Sequence, residues 1–391
     1  MEQPRTKNIL PLVSVVTFFG FIDNNLLMAV IALYAAELGA GVGIIGIIVG
    51  LYSITNTPAN ILWGRLVDRI GYKIPLIAGL VGDTISMFLY SLCRLPFSLA
   101  LVRSLHGITG AAIGPATMSA IAQHGREDRQ GRAMAYYGIA LGISTIAGFG
   151  LSGIIASRLG YKAIFYIGMG LVLVGTIVGL LLPRKRQSDA TESMQPRGYD
   201  WRKVATLFRR RRLMVGYSAI FAQYFTFGGV VTLLPLYVKS LGMEAFHVGI
   251  LMTAFAVVFV ILQMPVGDYS DRVGRLGLII AGLCLGTITI VLMPYMTTFP
   301  WLIIVMAGYG AAYGMIFPSV SALVSDETSI EERGIATGLF HALLTAGVAI
   351  GAPVIGWIGS SLGVETGLMS SAGILVLALL LLLISSRRGF K

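Results

Sequence analysis

The sequence predicts an all-α membrane protein in which twelve transmembrane helices form two six-helix bundles. Of its 391 residues, 56% are apolar and only 12% are charged, whereas soluble domains are roughly 45–50% apolar and about 25% charged. Twelve apolar segments are long enough to cross a bilayer, which takes about 20 residues, and the second six repeat a pattern in the first six. These observations exclude a soluble enzyme, a disordered chain and a secreted disulfide scaffold.

The predicted spans fall into two sets with a polar stretch between them. They cover about 9–35, 43–63, 74–93, 97–121, 134–157, 161–182, 213–238, 247–266, 276–296, 299–324, 335–359 and 365–386. The stretch between the sets contains seven of the chain's basic residues in two short runs, 184–186 and 209–212. We therefore expect an N-terminal bundle over 1–182, a cytoplasmic linker over 183–212 and a C-terminal bundle over 213–391.

The basic residues predict the orientation of the chain in the membrane. The net charge is +11, and with both termini inside, 24 of the 29 lysines and arginines lie in cytoplasmic segments and four in outer loops. Such a bias is typical of multi-pass proteins, because positive residues remain on the cytoplasmic side. We expect a protein of the inner (plasma) membrane, embedded in the lipid bilayer with both termini cytoplasmic. The positive charge is then explained without nucleic-acid binding.

The internal repeat has a constant offset of 203 residues. Subtracting it places Tyr237 on Tyr34, Gly310 on Gly107, and Gly351 and Gly356 on Gly148 and Gly153. Each half holds six spans, an even number, so both halves enter the membrane in the same direction. This indicates a parallel repeat related by an axis along the membrane normal.

A duplicated loop follows the second span of each half. The first copy carries Gly64, Asp68, Arg69, Gly71 and Lys73, and the second carries the matching set Gly267, Asp271, Arg272, Gly274 and Arg275. This pattern resembles the signature loop of the major facilitator superfamily, and the resemblance covers nearly the whole chain. It implies the major facilitator fold, with a central cavity and with these ten residues as a cytoplasmic gate. The first copy departs from the pattern at Tyr72 and the second at Tyr269.

A charged motif opens the fourth predicted span. Arg103 is followed four residues later by Gly107, whereas the repeat places Met306 at the position equivalent to Arg103. The motif resembles that of the twelve-span drug:proton antiporter branch, in which the arginine is thought to tune the protonation of a nearby acid. A charged residue inside a membrane is costly and therefore needs a partner.

Candidate proton-coupling residues are Asp23, Arg103, His106 and Asp83. Asp23 and Arg103 have matched depths, each roughly 9 Å below the outer face of the bilayer core at a rise of about 1.5 Å per residue, so we expect them to pair. A structural ion pair that only joins two helices is the alternative. Asp83 could instead serve local packing, and His106 could be an ordinary core histidine.

Polar and aromatic residues within the spans are candidates to line a substrate cavity. They are Asn24, Asn25, Asn56, Gln223, Tyr224, Gln263, Tyr309, Tyr313 and His341. For each of them, helix packing is the alternative role. The glycine motif that marks many antiporters is only partly matched at Gly148–Gly153, so both import and export remain open.

Together these features predict a secondary active transporter that works by alternating access and exports small apolar or amphipathic compounds in exchange for protons. The alternatives are a lipid, lysolipid or sugar transporter without proton coupling, and a non-transporting membrane sensor. We expect no catalytic residues, no cofactor and no metal, since no nucleotide-binding, hydrolase or metal-ligand motif is found and Cys93 and Cys284 stand alone. The expected partners are a small-molecule substrate, protons and the bilayer, and the expected state is a monomer.

Overall fold

The computed structural model describes residues 9–124, 130–183, 201–329 and 331–387. All elements in these ranges are helical. The first eight helices are α1 Ile9–Met28, α2 Ile31–Glu37, α3 Val42–Ile70, α4 Lys73–Leu92, α5 Pro96–Gly110, α6 Ile113–His124, α7 Gln130–Leu159 and α8 Tyr161–Leu180. The remaining α-helices are α9 Trp201–Arg209, α10 Arg211–Ser240, α11 Ala245–Val273, α12 Arg275–Leu292, α13 Phe299–Asp326, α14 Arg333–Leu362, α15 Val364–Ser370 and α16 Ala372–Arg387.

Twelve helical segments of the described chain are long and apolar enough to cross a membrane. They coincide with the twelve predicted spans, and the prediction of an all-α membrane fold is confirmed. Three spans consist of two helices each, because the helix breaks after α1, after α5 and after α15. Hydropathy did not predict these breaks, since an apolar run continues through them.

The chain divides into two compact units, one of residues 1–39 and 51–193 and the other of residues 40–50 and 194–391. The segment 40–50, which includes the start of α3, belongs to the second unit, where Gly46 packs against the backbone of Ala352. The predicted domain boundaries placed this segment in the N-terminal bundle.

The same helix pairs form inside each unit. In the first unit α1 packs on α7, and α4 packs on both α5 and α8. In the second unit the repeat-related helices do the same: α10 packs on α14, and α12 packs on both α13 and α16. The common internal arrangement agrees with the repeat predicted from the 203-residue offset.

Each unit buries its own apolar core. The core of the first unit includes the almost completely buried residues Val16, Leu80 and Ile113. The core of the second unit includes the completely buried residues Ile220, Leu283 and Val320. Large apolar side chains are also exposed, among them Leu62 at 65% and Trp357 at 69%. Such exposure would be costly in water but suits a helix that faces lipid tails.

The linker region contains a helix that the sequence did not predict. Residues 201–209 form the short helix α9, and α10 begins at Arg211, within the predicted linker. Residues 184–200, the rest of that linker, lie outside the described part of the chain.

Both copies of the signature loop turn at a glycine in the left-handed region. Gly71 has φ +83° directly after α3, and Gly274 has φ +97° directly after α11. Only glycine adopts this conformation without a steric penalty, which explains why both copies of the loop carry a glycine at this point.

Candidate functional site

A buried cluster of ionisable groups lies inside the first unit. Asp23 on α1 and His106 on α5 are 1% and 0% exposed, and the Nε2 atom of His106 lies 3.2 Å from Oδ2 of Asp23. The other imidazole nitrogen, Nδ1, lies 3.3 Å from the hydroxyl of Tyr90 on α4. Since an ionised carboxylate can only accept, we assign the Nε2 proton to the bond with Asp23.

A second carboxylate faces the same imidazole. Oδ1 of Asp83 on α4 lies 3.9 Å from Nε2 of His106 and accepts a 2.5 Å hydrogen bond from the hydroxyl of Thr109. Its other oxygen, Oδ2, is buried without a hydrogen-bond partner. Buried polar atoms nearly always have a partner, so this oxygen is an exception that needs an explanation.

Arg103 lies one turn away from His106 on α5 and is fully buried. Its Nη1 donates a 3.3 Å hydrogen bond to Oδ1 of Asn24, and its guanidinium carbon lies 4.7 Å from the ring centre of Tyr52. The Nε and Nη2 atoms have no hydrogen-bond partner. The expected direct ion pair with Asp23 is not formed at 4 Å or less, since Asp23 has His106 as its partner instead.

Local sequence explains why these groups share one site. Arg103 and His106 are three residues apart on α5, so both point to the same side of the helix. Gly107 allows that side to approach α3, where a Cβ would meet the carbonyl oxygen of Tyr52 at 2.5 Å. The approach is held by hydrogen bonds from Thr55 to the Ser104 carbonyl and from Asn56 to the Gly107 carbonyl.

The cluster offers three ligand atoms for a metal ion. Single atoms of Asp23, Asp83 and His106 all lie within 4.8 Å of one another. The ligands of one small ion are usually closer together, since Zn²⁺ binds nitrogen and oxygen at about 2.0–2.2 Å. Arg103 donates a hydrogen bond to Asn24, the residue that follows Asp23. Its positive charge beside the cluster disfavours the binding of a metal cation. The geometry therefore suits a proton better than a metal ion.

The predicted cavity residues of the first unit make hydrogen bonds to other helices. Asn25 donates to the hydroxyls of Ser144 and Thr145 on α7, at 3.3 and 3.4 Å. Asn24 accepts from Arg103, and Asn56 donates to Gly107. Their role in a cavity stays a prediction.

In the second unit, four of the predicted cavity residues cluster around an interhelical contact. The side chain of Gln223 donates from Nε2 to the backbone carbonyl of Tyr313. The hydroxyl of Tyr313 donates in return to the backbone carbonyl of Gln223. The rings of Tyr224 and Tyr309 each lie 5.3 Å from that of Tyr313. Gln263 on α11 is half-buried, and His341 on α14 is exposed next to Phe340.

Two predicted gate residues make contacts within their own unit. Lys73 donates to the carbonyls of Leu180 and Leu182 at the end of α8. Arg275 bonds Asp326 at 3.0 Å and Ser270 at 2.9 Å.

The other gate residues lie at or near the surface of their unit. Asp68, Arg69 and Arg272 are exposed, and a Cβ at Gly64 or Gly267 would meet nothing within 4 Å. The side chain of Asp271 lies outside what the structure describes.

Three residues of the ionisable cluster were missed from the sequence. Thr109 could have been found, because it follows His106 by three residues on the same helix. Tyr52 and Tyr90 carry no such signal, since aromatic residues are common throughout the spans.

Comparisons with known proteins agree with this architecture. The profile of the Major Facilitator Superfamily matches residues 13–248 and 217–389. An MFS-type transporter of Methanocaldococcus jannaschii is 24% identical over 90% of this chain and 91% of its own. Multidrug resistance protein 1 of Bacillus subtilis is 25% identical over 87% and 86%.

Among solved structures, a mutant of the nucleoside transporter NupG superposes with a TM-score of 0.83 at 16% identity, covering 98% of this chain and 100% of that one. The likeness at this identity shows the fold alone. The relative named for multidrug resistance supports the resemblance to the drug:proton antiporter branch. The profile match extends over almost the entire sequence, so this multi-pass membrane protein is not an enzyme and belongs to the Major Facilitator Superfamily.

Proposed function

We propose that this chain is a proton-coupled secondary transporter that exports small apolar or amphipathic compounds by alternating access. The observation that carries the proposal is the buried cluster of Asp23, Asp83, His106 and Arg103. With a neutral imidazole, two carboxylates and one guanidinium leave the cluster with one excess negative charge. One bound proton makes it neutral.

A net charge buried away from water is unfavourable by several kcal/mol. The closed, dry cluster therefore favours the protonated form, whereas admission of water favours the charged form. The Nε2 atom of His106 lies within 4 Å of an oxygen of each carboxylate, so its N–H can donate to whichever of the two remains ionised. A conformational change that alters the hydration of this cluster would then bind a proton on one side of the membrane and release it on the other.

Export of varied compounds is supported by the relative named Multidrug resistance protein 1. The second unit offers a soft, uncharged surface for such compounds, because Tyr224, Tyr309 and Tyr313 lie on neighbouring helices with aromatic neighbours. Aromatic and uncharged surfaces accept ligands of different shapes. Gln263 and His341 remain further candidates to contact the substrate.

The duplicated loops are proposed to gate the predicted cytoplasmic side. Gly64, Asp68, Arg69, Gly71 and Lys73 form the first copy, and Gly267, Asp271, Arg272, Gly274 and Arg275 form the second. The proposal includes a plasma-membrane location and a monomeric protein, with the cytoplasmic termini that the charge distribution predicts.

The test is transport in proteoliposomes over a panel of dyes, lysolipids, nucleosides and sugars, with and without a pH gradient. The wild-type protein should accumulate at least one compound against its gradient when a pH gradient is imposed. Asp23→Asn should abolish this accumulation but retain equilibrium binding of the compound. Glu37→Gln, which removes an exposed carboxylate outside the cluster, should behave as wild type. Transport that ignores the pH gradient would reject proton coupling and favour an uncoupled transporter of the same fold.

A further inference from the structure

Six aromatic rings form a continuous cluster within the second unit. This aromatic cluster is contributed by three helices, α10, α11 and α13, and consists of Tyr224, Phe227, Phe255, Phe259, Tyr309 and Tyr313. The Tyr313 ring lies at its centre, with ring-to-ring distances of 5.0 to 5.7 Å to each of the other five. Tyr224 and Phe259 are half-buried, while the other four rings are buried. The two half-buried rings therefore form the accessible edge of the cluster.

Two buried polar atoms at this cluster lack a hydrogen-bond partner. They are the hydroxyl oxygen of Tyr309 and the Oε1 atom of Gln223. The side-chain amide of Gln223 is held in place, because its Nε2 donates to the backbone carbonyl of Tyr313 at 3.3 Å. The Tyr313 hydroxyl donates to the backbone carbonyl of Gln223 at 2.9 Å, which leaves the side-chain Oε1 free of this bond. Buried polar atoms are almost always bonded in folded proteins. Two exceptions at one cluster of rings indicate that a ligand supplies the missing partner.

The charge of the second unit restricts the ligand. Its membrane spans contain no aspartate or glutamate except Asp326 and Glu365, at the ends of their spans. An organic cation would therefore find ring faces but no carboxylate nearby to balance its charge. A neutral aromatic molecule stacks on the same rings without that cost.

The chemistry of Gln223 restricts the ligand further. An amide oxygen only accepts hydrogen bonds, so Oε1 requires a donor. A site built to bond a donor rejects an analogue that lacks it, because the acceptor is then left buried and unpaired.

We propose that the aromatic cluster binds a neutral, planar aromatic molecule with an N–H group that donates to Oε1 of Gln223. The rings of the ligand stack against Tyr224 and Phe259, and the Tyr309 hydroxyl is available to a second polar atom. This inference rests on the proposed function, since it names the substrate class of the proposed transporter.

The experiment compares two ligands that differ at the donor nitrogen, which carries a hydrogen in one and a methyl group in the other. Tritium-labelled carbazole, which has one N–H, and N-methylcarbazole, which has none, are bound to the purified full-length protein in lipid nanodiscs and measured by scintillation proximity. Carbazole should bind about tenfold more tightly, the difference expected for one buried hydrogen bond. Tetraphenylphosphonium, an aromatic cation, should compete only weakly.

Two variants assign the preference to Gln223. Gln223→Met should reduce carbazole binding to the level of N-methylcarbazole and leave N-methylcarbazole binding unchanged, which also shows that the variant is folded. Ser319→Ala is the matched control, since it removes another unpartnered buried oxygen from α13 and should preserve the preference.

Equal binding of the two carbazoles by wild type, or a preference that survives in Gln223→Met, would overturn the inference. Stronger binding of tetraphenylphosphonium than of carbazole would do so as well. Equilibrium binding needs no pH gradient, so these results are independent of proton coupling. If the preference holds but no compound is accumulated against its gradient, the proposed function fails and the binding site stands.

Discussion

Asp23 and His106 join two helices through a contact of 3.2 Å between fully buried side chains. The same imidazole nitrogen lies 3.9 Å from Asp83 on a third helix. The two carboxylates differ in their surroundings: Asp23 also accepts a 2.6 Å hydrogen bond from the backbone of Asn24, whereas Asp83 keeps one oxygen unpartnered. The difference allows their contributions to stability and to proton binding to be separated.

Asp83→Asn should leave thermal stability unchanged or raise it, because it removes a charge from an oxygen that has no partner. Asp23→Leu should destabilise the protein by about 3 kcal/mol, since it leaves the imidazole of His106 and the backbone N–H of Asn24 without their acceptor. Thermal unfolding of the purified variants checks both. An equal loss in the two variants would show that the carboxylates are structurally equivalent.

Close helix contacts at glycines provide a second prediction. A Cβ at Gly107 would meet Thr55 and Tyr52 on α3, and a Cβ at the repeat-related Gly310 would meet the backbone of Phe255 on α11. Gly107→Ala and Gly310→Ala should each lower the unfolding temperature by several degrees, because backbone atoms have to move apart.

Gly114→Ala is the matched control on the neighbouring helix α6, since a Cβ there would meet nothing within 4 Å. It should keep or slightly raise the unfolding temperature, as alanine favours the helix over glycine. If Gly114→Ala were as damaging as Gly107→Ala, helix propensity or expression rather than close packing would be responsible.

Hydropathy predicted the twelve spans because a helix that crosses a bilayer needs about 20 residues that tolerate lipid. The repeat predicted that the two halves share one arrangement of helices, because equivalent positions recur at a constant offset. Neither predicted the end of α3 at Ile70, seven residues beyond the apolar window, since a helix continues into water once its hydrogen bonds are formed. The break between α5 and α6 was also missed. It lies within an apolar stretch, so hydropathy does not distinguish it from a continuous helix.

The site was predicted in part. Counting residues along a helix gives depth, and matched depth predicted that Asp23 pairs with Arg103 on α5. Depth does not give the side chain's direction, so Arg103 and His106, one turn apart, were both possible partners, and the structure gives Asp23 the latter. For Asp83 the sequence left proton coupling and local packing as alternatives, and the structure places its Oδ1 3.9 Å from Nε2 of His106.

An ion pair outside the membrane spans predicts a pH effect. Arg210 makes two hydrogen bonds to the carboxylate of Glu332, at 2.6 and 2.8 Å, and these bonds hold the pKa of Glu332 below its usual value of 4.5. A carboxyl whose pKa is lowered by folding stabilises the protein above its unfolded pKa and ceases to do so as the pH falls through the folded pKa.

Glu332→Gln should therefore lower the unfolding temperature slightly at pH 7. The difference should shrink as the pH falls below 4.5 and disappear once Glu332 is protonated in the folded protein. The effect is small, at most about 1 kcal/mol, because Arg210 is 39% exposed and water screens the pair. Glu331→Gln, at the adjacent exposed position, should show no pH-dependent difference. A loss in Glu332→Gln that stayed constant as the pH falls well below 4.5 would point to lost hydrogen bonding rather than lost charge.

Two charged residues of the first signature loop, Lys73 and Asp68, should have separable effects. Lys73 donates to the Leu180 and Leu182 carbonyls and so fixes the start of α4 against the end of α8. Lys73→Met should lower the unfolding temperature, because the last carbonyls of a helix lose a cation that interacts favourably with them. Asp68 is exposed at the end of α3, where water screens its charged interactions, so Asp68→Asn should lower the unfolding temperature less than Lys73→Met does.

If the loop is part of the gate, Asp68→Asn should slow transport at least severalfold while equilibrium substrate binding stays at the wild-type level. The reason is that a gate changes the balance between conformations and not the contacts of the substrate. Glu37→Gln serves again as the control for loss of one exposed carboxylate. Normal turnover in Asp68→Asn would show that the loop serves only to anchor the topology, and weaker binding in this variant would instead place Asp68 in contact with the substrate.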